Sequence, residues 1–98
     1  MLRIPVNDII SVKAFSHAIT VTTRNAQYEL RDSIASLETR LGSDFVRPHR
    51  SYLVNLRYIH SISKTEILLD NGTAIPLSRY NYREINQAFI HYYKKNQD

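Results

Sequence analysis

Residues Phe45-Val-Arg-Pro-His-Arg-Ser-Tyr-Leu-Val-Asn-Leu-Arg-Tyr-Ile59 constrain this chain more than any other stretch. Pro48 removes a backbone donor and holds Arg47 in extended geometry, so the chain bends where Arg47, His49, Arg50 and Ser51 gather. Directly after the bend come Tyr52, Leu53, Val54, Leu56, Tyr58 and Ile59, an apolar segment that has to be buried. No acid occurs from Phe45 to Thr65, whereas Arg47, Arg50, Arg57 and Lys64 all fall inside. A basic, hydroxyl-bearing loop pinned between buried segments is suited to an anionic polymer.

The rest of the composition narrows the class. With 98 residues the chain makes one domain, residues 1–98. At this size about 65% of the unfolded surface is buried on folding, so no staple is needed. The absence of cysteine excludes disulfides and cysteine-ligated zinc. Apolar runs are too short to span a bilayer and no signal peptide opens the chain, so the expectation is a soluble, cytoplasmic protein. The net charge of +4 is unevenly spread, because acids vanish a second time between Asn71 and Arg83, leaving Arg79 and Arg83. Two acid-free basic stretches, each with a turn, predict one positive face.

Strand signals fill the first third. Ala18-Ile-Thr-Val-Thr-Thr23 alternates with period two and is β-branched, and Arg24-Asn25 reads as a turn into Ala26–Leu30. A short helix follows, with Asp32 as N-cap, Ile34, Leu37 and Leu41 at helical spacing, and Gly42 just past its end. Phe45 to Arg47 reads as a short strand. Ser51 to Ile62 is apolar but aperiodic, either a strand with a bulge or a helical turn leading into a strand. Asn71-Gly72 between Glu66–Asp70 and Thr73–Leu77 is a hairpin signal, and Pro76 puts the second arm at an edge. Asn81 with Glu84 resembles a capping box, opening a final helix whose stripe is Tyr82, Ile85, Phe89 and Tyr92. The expected fold is therefore mostly β, with two short helices.

Catalysis finds no support. His17, His49, His60 and His91 lack metal-ligand spacing, and two glycines cannot build a phosphate loop. The expectation is a binding module without a cofactor. Arg47, His49, Arg50 and Ser51 offer forked and hydroxyl donors useful on bases and phosphates. The bland alternative is a solvated turn whose arginines pair with Asp44 or Glu66. Ser16-His17 reads as a turn whose histidine is simply exposed or else functional. Ser78-Arg79-Tyr80 either caps the last helix or adds a third contact.

These residues resemble the LytTR domain, a mostly β DNA-binding output module of bacterial response regulators. Val6-Asn-Asp-Ile-Ile-Ser-Val12 resembles the family's first strand, and Phe45-Val-Arg-Pro-His-Arg-Ser-Tyr-Leu-Val-Asn55 its central signature. Tyr58-Ile59, Asp70-Asn71-Gly72 and Ile75-Pro-Leu-Ser-Arg79 extend the likeness over residues 4 to 93. The resemblance implies a compact set of small antiparallel β-sheets, no helix-turn-helix, and bases reached by loops. Carried over by position, base contacts fall on His17, Arg50 and Arg79 or Tyr80. Ser16, Arg47, His49, Ser51, Lys64, Ser78 and Arg83 would then hold phosphates. Tyr80 stands where the family often has a second basic residue, so either Arg79 takes over that contact or Tyr80 makes an apolar or hydroxyl contact with a different base preference.

The resemblance also implies double-stranded DNA as partner, two copies at paired direct repeats, and a receiver or other regulatory domain upstream in the full-length protein. Two rivals stand beside it: a β-rich RNA-binding module, and a protein-interaction domain that has lost DNA binding. The closing helix either completes the core or offers a dimer face.

Overall fold

The apolar segment after the basic bend is buried because it lies inside a sheet covered on both faces. The computed structural model describes residues 4–96. Strands β1 (Ile9–Phe15), β2 (Ala18–Thr23), β3 (Gln27–Leu30), β4 (Phe45–His49) and β5 (Tyr52–Asn55) form one antiparallel sheet in the order β3-β2-β1-β5-β4. Strands β6 (Ile59–Ile62), β7 (Glu66–Leu69) and β8 (Ala74–Pro76) form a second antiparallel sheet in that order. Helix α1 (Ile34–Leu41) and helix α2 (Tyr82–Lys95) are separated by five strands, so they do not make a helix-turn-helix.

Two apolar clusters sandwich the first sheet. Ile9, Val12, Ile19, Val21, Phe45 and Leu53 pack with Ile34 and Leu37 of α1. On the other face Ile10 and Val54 pack with Ile67, Leu69 and Ile75 of the second sheet and with Ile85 of α2. Strands β1 and β5 are thus buried on both sides, and such strands lose the period-two signature. That is why Ser51 to Ile62 reads as aperiodic. Within it, β5 ends in a 3-10 turn, Leu56–Tyr58, which leads into β6. A helical turn before a strand is borne out, with a further strand ahead of it.

Local expectations shift in three places. Ser33, not Asp32, caps α1: its hydroxyl accepts from the Ser36 N–H at 3.1 Å, while Asp32 accepts from the Ser33 N–H at 2.8 Å. Asn81 makes no capping bond to α2, because its amide is turned toward Pro48 instead. The strand at Phe45 does not stop at Arg47; it runs to His49 with a register shift between Val46 and His49. Pro48, fully buried, cannot donate to the ladder, and the bulge absorbs that loss. Gly42 and Gly72 do occupy the left-handed region, at φ 85° and 87°. The stripe Tyr82, Ile85, Phe89 and Tyr92 packs on the second cluster, so α2 completes the core.

Candidate nucleic-acid interface

Antiparallel pairing decides which loops meet. Strands β1 and β4 both end, and β2 and β5 both begin, at one end of the first sheet. The β1–β2 turn, Ser16-His17, and the β4–β5 turn, Arg50-Ser51, therefore lie side by side. The centres of the two turns are two strand spacings apart, roughly 10 Å. A backbone bond from the Ala14 N–H to the Ser51 carbonyl, 2.8 Å, ties them together. The third loop is tied to the same end, since the Ser78 N–H donates to the Pro48 carbonyl at 3.0 Å and the Asn81 amide does so at 3.4 Å. The bulge at Pro48 releases this carbonyl from the ladder to receive them.

The β6–β7 turn carries Lys64 and joins the same end through a bond from the Leu77 N–H to the Thr65 carbonyl, 3.0 Å. Arg83, in the first turn of α2, follows directly from the tethered loop. Bonds from the N–H groups of Arg24 to Asp8, Leu56 to Asp44 and Asp70 to Tyr58 place those three acids at the opposite end. Glu66 begins β7 beside Lys64 and remains near the loops. Glu29 and Asp32 also line grooves with Ser16 and His17, and Glu38 pairs with Arg47, so the end that bears the loops gathers the basic residues of both acid-free stretches together with four acids.

The individual side chains differ in how free they are. His17 is exposed at the tip of a two-residue turn, and Ser16 holds a left-handed φ of 57° there. That conformation costs a non-glycine residue about 1–3 kcal/mol and gives the tip a single geometry. Arg50, Lys64, Arg79 and Arg83 are exposed, and among the described residues none of them has an ion pair. Pairing with Asp44 or Glu66 does not occur. Tyr80 is 97% exposed.

Arg47 is different. One guanidinium nitrogen donates to Glu38 of α1 at 3.1 Å and the other to the Arg50 carbonyl at 2.8 Å, while Nε is buried without a partner. Its guanidinium braces the turn against α1. His49 and Ser51 are half-buried and joined, the Ser51 N–H donating to His49 Nδ1 at 3.2 Å. With Nδ1 accepting, a neutral ring carries its proton on Nε2, which is left as a donor. The His49 ring packs edge-on against Tyr52.

Two cations at this end escaped the sequence reading. Lys13 pairs with Tyr52 across strands, its ammonium 5.8 Å from the ring centre. Arg31 lines an open groove with Ser16 and His17, because the Ile19–Leu30 register returns the end of β3 to the first turn. Only the strand register carries that information. Among the described residues no cluster of histidines and acids suited to a metal exists, and no helix is long and apolar enough to cross a membrane.

Residues 1–90 match the model of the LytTr DNA-binding domain. The chain belongs to the LytTr DNA-binding domain family. That is a DNA-binding family rather than an enzymatic one, and its members include output domains of response regulators. The sensory transduction protein LytT of Bacillus subtilis is 33% identical over 84 residues, covering 80% of this chain and 31% of that protein. The heme-containing CO-sensing transcriptional regulator RcoM 1 of Paraburkholderia xenovorans is 29% identical over 94 residues, 89% of this chain and 35% of that protein. The chain therefore spans about a third of the length of these relatives. A solved LytTr DNA-binding domain from Bacillus cereus superposes with a TM-score of 0.77 at 24% identity, covering 89% of this chain and 84% of that one. The mostly β architecture with two antiparallel sheets and two helices is thus the LytTr fold.

Proposed function

We propose that this domain reads specific sequences in double-stranded DNA and serves as the output module of a cytoplasmic transcriptional regulator. The observation that carries the reading is the convergence of the 16–17, 50–51 and 78–80 loops at one end, tied by the Ala14–Ser51 and Ser78–Pro48 bonds. Loops so connected form a rigid row, which costs less entropy on binding than independent flexible loops. In this reading Arg50, central in the row, forks onto a base edge, with guanine in the major groove its best-matched acceptor. His17 stands to one side and Arg79 or Tyr80 to the other, each aimed at neighbouring bases.

Lys64, Arg83, Ser16, Ser78, and the remaining donors of His49 and Ser51 set register on phosphates. Arg47 acts as a brace for Arg50 rather than as a phosphate contact, because both its terminal nitrogens are already engaged. Two copies bind paired direct repeats, and a receiver or other regulatory domain in the full-length protein governs their pairing. The lengths of the curated relatives leave room for such a domain.

Selection of duplexes from a random-sequence pool at near-physiological salt tests this. An enriched motif, repeated at about one helical turn, is the expected result. Salt-sensitive retention without enrichment would sink sequence-specific reading and favour general polyanion binding, with RNA then the competitor to try. No retention would favour a protein-interaction role. Lys64→Ala is expected to weaken binding to every duplex alike and to flatten the slope of log affinity against log salt by about one unit. Titration at several salt concentrations reads this, and an unchanged slope would remove Lys64 from the phosphate contacts.

A further inference from the structure

Phe15 and Tyr80 are the most exposed large apolar side chains among the described residues, at 78% and 97%. Both stand at the end that bears the loops. Tyr80 offers water a hydroxyl, but the Phe15 ring has no polar atom to offer. A lone exposed apolar residue is ordinary on a protein surface. Its position is what singles Phe15 out.

Phe15 pairs with Ala18 and closes the two-residue turn that carries His17. On its other flank, Val12 and Lys13 pair with Leu53 and Tyr52, and the Ala14–Ser51 bond continues that register. Beyond that bond the partner chain turns at Arg50-Ser51 into β4, so Phe15 projects past the paired part of β5. Alternation along β1 puts it on the same face as Lys13. Phe15 also walls the open groove shared by His17 and Arg31, where Glu29 is the lining acid. The ring thus stands among the cations Lys13, His17 and Arg31, with Glu29 as the one acid of the groove.

An apolar protein partner covering this ring would have to desolvate those cations, which is costly without counter-charges. A duplex supplies the counter-charges through its phosphates. On its base edges the thymine C5-methyl, displayed in the major groove, is the apolar group a phenyl ring can pack against. We infer that Phe15 is a specificity-determining residue whose ring packs on a thymine methyl beside the base contacted by His17. This inference rests on the DNA-reading function proposed above. It also supplies a preference against RNA, whose uracil lacks that methyl.

The test uses a duplex that the domain itself enriches from a random pool. Each thymine is replaced in turn by deoxyuridine, which removes the methyl and leaves the hydrogen-bonding edge intact. At one position the unaltered domain is expected to lose about fourfold in affinity, the equivalent of burying one methyl group. Phe15→Ala should bind the parent duplex weaker by about the same factor and lose nothing further from uracil there. Phe15→Leu should keep part of the uracil sensitivity. A thermal melt of each variant reports on folding separately from binding. Tight binding with no position whose uracil penalty depends on Phe15 would overturn the contact and leave DNA reading standing. Failure of the unaltered domain to enrich or retain any duplex would overturn both.

Discussion

Arg50→Ala is expected to leave the domain folded and to remove about 1–3 kcal/mol of discrimination at one base pair, roughly 5- to 150-fold. The two effects separate because of how the turn is held. Arg50 contributes its carbonyl to the structure, accepting from Arg47, and that carbonyl is present whatever the side chain. Its guanidinium is exposed and without an ion pair among the described residues. Stability should therefore move by no more than about 0.5 kcal/mol, as for other surface substitutions. Arg50→Lys sharpens the test, since it retains the charge and the salt-dependent share of binding but loses the fork. Competition between an enriched duplex and its single-base variants, at fixed salt, measures both substitutions. Full specificity in Arg50→Ala would mean that the central turn does not read bases.

The central signature was legible because its two properties are local. A run without acids and a proline between basic residues need no tertiary information, and Arg50 is indeed free at a turn. The hairpin at Asn71-Gly72, the α1 stripe and the α2 stripe were legible for the same reason: period and turn chemistry are written in neighbouring residues. What was not legible depended on partners far along the chain. Asp32 and Ser33 are both competent caps, and only the geometry of the approach decides that the serine hydroxyl meets Ser36. Asn81 and Glu84 have capping-box spacing, yet the Pro48 carbonyl, 33 residues away in sequence, draws the Asn81 amide. Local sequence offers Arg47 as one more phosphate donor, because Glu38 lies on a helix whose contact with β4 no local pattern encodes. Lys13 and Arg31 join the interface only through strand register.

Asn55→Ala is expected to cost about 2–4 kcal/mol of folding stability, because two hydrogen bonds lose their partner inside the protein. Asn55 is 3% exposed and stands where the first sheet hands the chain to the second. Its Oδ1 accepts from the Arg57 N–H at 3.0 Å, nucleating the 3-10 turn that reverses the chain. Its Nδ2 donates to the Ile9 carbonyl at 2.9 Å, where β1 shifts register against β2. Alanine supplies neither group, so the Ile9 carbonyl and the Arg57 N–H are each left to find water at a buried corner. Small domains have only about 5–15 kcal/mol in total, so urea unfolding should show a clearly lowered midpoint with a similar slope. Asn55→Asp separates the two bonds, keeping the acceptor for Arg57 and losing the donor to Ile9. The consequence reaches the interface. Asn55 fixes the turn through which the first sheet leads into the second, and the loop at Ser78 is held to Pro48 from the second sheet's side. A destabilised Asn55 corner should therefore weaken DNA binding even at temperatures where the domain stays folded, because the third loop loses its fixed distance from Arg50. An Asn55→Ala domain with unchanged unfolding and unchanged affinity would show that the two sheets are positioned by packing alone.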